Sequence, residues 1–113
     1  MANTHRMRVA IVGGLSRAHG QWERAGDALG VELEHHAGQT QGRHSDELAA
    51  VVRRADVVVI ITNPNSHNGV AVARRTAQRW SRPHLLIKHL RPDGLGPVLA
   101  DALAMGRTRA AVS

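Results

Sequence analysis

Eight histidines stand in a chain of 113 residues that contains no cysteine. Imidazole is therefore the side chain best suited here to hold a metal ion or to move a proton near neutral pH. Thiolate metal sites, thiol catalysis and disulfides are excluded. Position matters more than number. His35-His36 are adjacent and run into Ala37-Gly38; Ser66-His67 follow the polar run Thr62-Asn63-Pro64-Asn65; His89 stands two residues before Arg91. A second cluster is Gly13-Gly14-Leu15-Ser16-Arg17. Paired glycines permit close backbone approach, and Arg17 and Arg91 suit a carboxylate or phosphate in a two-pronged grip. The cluster lacks the full dinucleotide fingerprint and the Lys-Ser/Thr of a P-loop.

The segments that carry these residues alternate between strand and helix patterns. Met7 to Val12 reads as a short buried strand, and Ala18, Trp22, Ala25 and Leu29 then mark one face of a helix that Gly30 stops. Val31 to His36 alternates apolar and polar residues, as a strand with one wet side or at a sheet edge does. Ser45 is expected to cap a second helix, with Asp46 and Glu47 at its positive end and Leu48, Val51, Val52 and Ala55 as its stripe. Val57 to Ile61 is the most β-branched run and belongs in the sheet centre, covered on both faces. A third helix over 69–80 is expected to bury Val70, Ala73, Ala77 and Trp80. Pro83 to Lys88 gives a fourth strand, and a short helix begins near Pro97.

This alternation predicts one α/β domain over 1–113: a small three-layer open parallel sheet, flavodoxin-like or Rossmann-like, in strand order 2-1-3-4. Its core spans about 7–106, and 107–113 is expected to be a flexible basic tail. Ligands of such sheets bind beyond the strand carboxyl ends, near the point where strand order reverses. The loops meeting there are 13–17 and 62–68. The two open edges of the sheet lead us to expect a homo-oligomer.

Composition narrows the partners. The net charge of +6 comes from 15 basic against 9 acidic residues, but the arginines are scattered and the aromatics number only two Trp, with no Phe or Tyr. Nucleic-acid binding, which wants a basic face with stacking aromatics or a recognition helix, is not expected. No apolar run approaches the about 20 residues of a membrane span, and the start has no signal-peptide stretch. A cytoplasmic protein without membrane partners is the expectation.

Val9-Ala10-Ile11-Val12-Gly13-Gly14, His35-His36-Ala37-Gly38, Ala55-Asp56-Val57-Val58-Val59 and Ser66-His67 together resemble a bacterial family catalogued as a domain of unknown function, number 2325 in that series. The likeness runs from about Met7 to Lys88 and implies the fold and a strand-end site. Ala37 stands where the family commonly has Asp, and no Cys occurs in the third helix where the family often has one. Asp-assisted or thiol chemistry is therefore not carried over.

The leading functional expectation is a small ligand-binding or sensing protein. It would hold haem, or else a simple transition-metal ion, through His67 or His36 at the strand-end rim or at a subunit interface. Gly13, Gly14, Ser16, Arg17, Ser66, His89 and Arg91 would complete the pocket. Haem asks for an axial ligand, an apolar slot and cations for its propionates. The alternatives are an anion or nucleotide-like site at Gly13–Arg17, a small-molecule enzyme with His67 as acid or base, and a structural oligomer module. Ser66 as a plain helix cap and the glycines as a plain tight turn are the competing structural readings. No carboxylate stands where it would orient a Ser-His pair, so acyl-transfer hydrolysis is not expected.

Overall fold

The computed structural model describes residues 6–112, without the side chains of residues 16, 103 and 105–112. Four parallel strands, β1 (Arg8–Val12), β2 (Glu32–His36), β3 (Val57–Ile61) and β4 (His84–Ile87), form one sheet in the order β2-β1-β3-β4. Between and after them run α1 (His19–Ala28), α2 (His44–Arg54), α3 (His67–Arg79) and α4 (Leu95–Val112). The expected α/β class and strand order are both present.

Strand chemistry explains the order. All five residues of β3 are buried, because β1 and β4 pair with it on its two sides and helices cover both faces. β1 is buried from Val9 onward. Alternation divides their side chains between two cores. Ala10, Val12, Val58 and Ile60 meet Leu48 and Val52 of α2 and Ala73 and Ala77 of α3. Val9, Ile11, Val59 and Ile61 meet Trp22 of α1 and Leu95 and Leu99 of α4. Each fully buried Leu, Ile or Val contributes about 1.5–3 kcal/mol relative to exposure, so two well-filled layers hold the sheet without Phe or Tyr. β2 and β4 have one strand neighbour each. β2 keeps the mixed burial that its alternation predicts.

Three local expectations are corrected. Ser45 does not cap α2: Gly42 at φ 60° turns the chain one step earlier, α2 starts at His44, and no side chain caps it. Trp80 is not on the buried face of α3. It is the C-cap, one residue past the end of α3, 45% exposed, with the Arg53 guanidinium 5.7 Å from its ring; Val70 is only half-buried, and Val72 joins Ala73 and Ala77 in the core. The last helix is not short: α4 starts at Leu95, after a 3-10 turn at Pro92–Gly94, and takes in residues 107–112.

Candidate functional site

The 13–17 and 62–68 loops do meet at the strand-order reversal, and they meet by consuming their own polar groups. The Gly13 amide donates to the His36 carbonyl (2.8 Å) and the Gly14 amide to the Pro64 carbonyl (2.8 Å). Neither amide is free to hold an anion. Gly13 has φ 102°, and a Cβ there would run into the Ile61 carbonyl and the Asn65 amide. The Asn65 side chain donates to Ile61 O (2.7 Å) and accepts from the Ser66 amide (2.8 Å). Ser66 Oγ accepts from the Gly69 amide (2.8 Å) as the cap of α3 and donates its one proton to Gly38 O (2.9 Å). Asn68 reaches Thr40 (2.9 Å). The reversal point is a knot of backbone-satisfying contacts.

One strand over, the carboxyl end of β2 opens into a cleft of about 200 Å³ lined by His19, His35, His36, Ala37, Gln39, His44 and Glu47. Neighbouring strand residues such as His35 and His36 project to opposite faces of a sheet. Both line this cleft, because it wraps the end of an edge strand and is reached from both sides. On the α2 side, His36, His44 and Glu47 each present a ligand atom, all within 4.8 Å of one another. His44 Nδ1 and Glu47 Oε1 are 3.0 Å apart, one helical turn from each other on α2. The His36 ring accepts from the Gly38 amide at Nδ1 (3.0 Å). Burial pushes the His36 imidazole below its ordinary value, opposed by the Glu47 charge and reinforced by the His44 charge, with the His44 main chain opposing last. That favours the neutral ring a metal needs.

On the α1 side, His35 is the one buried polar or charged side chain among the described residues. Its Nε2 lies 2.7 Å from Gly13 O and its Nδ1 lies 3.3 Å from His19 Nδ1. The Trp22 ring packs beside it, centroids 6.0 Å apart. Burial pushes His35 downward too. The bond to the Gly13 carbonyl opposes this, and the His19 and His36 charges add to it.

Two larger hollows, about 390 Å³ between α2 and α3 and about 410 Å³ beside the start of β2, do not converge on such chemistry. In the second, Arg8 pairs with Glu32 and Arg54 with Glu34.

Of the residues singled out in the sequence, His36 sits in the cleft. His67 is exposed at the start of α3 and belongs to no cluster of three metal-ligating side chains among the described residues. Arg17 and Arg91 are exposed. His89 is exposed and lies 3.3 Å from Asn63 O through Nδ1. The Ser16 side chain lies outside the described residues. Sequence reasoning passed over His19, His35, His44 and Glu47. Two signals were available: Leu33 and His35 share strand parity, so a core-facing Leu33 predicts a core-facing His35, and His44 and Glu47 have the i,i+3 spacing that brings helix side chains together.

The fold and cleft define a small, four-stranded parallel α/β domain with an imidazole-lined edge. No helix among the described residues is long and apolar enough to cross a membrane. Residues 8–91 match the family described as "Uncharacterized protein conserved in bacteria (DUF2325)", and the chain belongs to that family, as the resemblance implied. No curated protein matches it.

Proposed function

We propose that this protein binds a divalent transition-metal ion in the cleft at the end of β2, with His36, His44 and Glu47 as ligands. The observation that carries this reading is the convergence of their three ligand atoms within 4.8 Å. Two imidazoles and one carboxylate suit zinc and its neighbours, and leave a position for water or a small ligand. Binding has an identifiable local cost. Through Nδ1 of His36 the ion displaces the Gly38 amide; through Nε2 the ring must invert its tautomer and set N–H against N–H. Either way at least one backbone hydrogen bond is lost, each about 0.5–1.5 kcal/mol. The site is thus suited to a metal that exchanges.

The cleft size supports an ion over haem, since about 200 Å³ is below the roughly 300–1,000 Å³ of organic-ligand pockets. Haem would need a second copy of the chain to complete its slot, which ties that reading to the expected homo-oligomer. Zinc titration of chelator-treated protein followed by calorimetry tests the proposal. His44→Ala is expected to weaken one binding event at least about tenfold, since even outer-shell changes at metal sites cost 10–100-fold, while His67→Ala leaves it unchanged. Binding that ignores His44→Ala sinks the assignment. A Soret shift on adding haem, weakened by His36→Ala, would move the reading to haem.

A further inference from the structure

We infer that His19 and His35 form a second metal-ion site on the opposite face of β2, separate from His36, His44 and Glu47. Three observations meet there. First, the two Nδ1 atoms lie 3.3 Å apart with ring centroids 5.4 Å apart. Two zinc–nitrogen bonds of about 2.0–2.1 Å at a tetrahedral angle put the nitrogens roughly 3.3–3.4 Å apart, so the pair already has the edge length of such a site. Second, His35 Nε2 faces the Gly13 carbonyl at 2.7 Å. A carbonyl only accepts, so Nε2 carries the proton and Nδ1 keeps its lone pair toward His19. A ligating His characteristically donates its other N–H to a carboxylate or backbone carbonyl, which fixes tautomer and ring orientation. Third, His35 is buried against Trp22 while His19 is exposed. One ligand is held rigid and the other stands at the solvent side, where an ion enters.

The arrangement contrasts with His36, whose lone pair is already taken by the Gly38 amide. At His35 no backbone bond has to break. Only the His19 donor must give way, by exchanging its Nδ1 proton for Nε2. Two protein nitrogens leave the other positions to water or a small anion, so the class of ligand is a labile borderline divalent ion such as zinc or copper.

The test is zinc stoichiometry on metal-free full-length protein, with nitrogen NMR of the histidine rings. Wild type is expected to take two equivalents, His19→Ala one and His44→Ala one. His19 should change from the Nδ1–H to the Nε2–H tautomer on zinc addition while His35 keeps Nε2–H throughout. His19→Ala that leaves the stoichiometry and affinities unaltered, or zinc that leaves the His19 tautomer as it was, overturns the second site. A single equivalent abolished by both His19→Ala and His44→Ala means one shared site and also overturns it. Failure of His44→Ala alone to remove an equivalent counts against the first site and not this one.

Discussion

The carboxyl ends of β1 and β3 and the carboxyl end of β2 each gather polar groups, and they use them in opposite ways. At β1 and β3, Gly13, Gly14, Asn65, Ser66 and Gly69 turn inward and spend their polar groups on the local main chain and on each other. At β2, four histidines and Glu47 face a cleft. The first region is where general rules of open parallel sheets place a ligand. In this chain that place is filled by the loops themselves, and the clustered imidazoles stand one strand outward, at the edge. Polar residues at strand ends thus divide into those that complete the backbone and those with lone pairs left to offer. Only a hydrogen-bond inventory separates them.

Substitutions can break or sharpen this contrast. The largest effect is expected from Gly13→Ala, where a side chain meets both a positive φ and the Ile61 carbonyl. A loss of at least about 2 kcal/mol in chemical denaturation is expected, and a neutral result would show that the knot is looser than its contacts. Ser66→Ala removes the cap of α3 and should cost about 1 kcal/mol without altering zinc stoichiometry; a lost zinc equivalent would mean the two regions are one site. The smallest effect is the pH dependence of the metal-free protein. Burial lowers His35 and His36 in the folded state from an ordinary value of 6.5. The unfolded chain therefore takes up protons first, so stability is full above about pH 6.5 and declines as pH falls below it. Thermal melts across pH 5–8 measure this, and a midpoint that rises on acidification would contradict it.

The fold was legible because it rests on repeated signals. The β-branched run 57–61 and the apolar stretch 9–12 had to lie centrally, and helical stripes between them left one plausible winding. The site was legible only in part. Ser66 and His67 stand out in the sequence because they end a loop and begin a helix, yet Ser66 is absorbed by capping and His67 faces outward. His35 was obscured by its own setting: on an edge strand with alternating polarity, a buried imidazole and a solvated one read alike. What distinguishes them is the packing of Trp22 and the reach of the Gly13 carbonyl, and both depend on where α1 settles. His44 and Glu47 carried a spacing signal, but Asp46 and Glu47 also suit a helix start, and that simpler role masked the pairing.

Gly13 itself is bonded on both sides. Its N–H is bonded to the His36 carbonyl and its own carbonyl to the His35 ring, and those two rings face opposite sides of the sheet. A β-sheet ordinarily insulates the layers it divides. Here a single glycine acts as an axle through the partition, so a pull on the His35 imidazole passes through Gly13 to the main chain that carries His36.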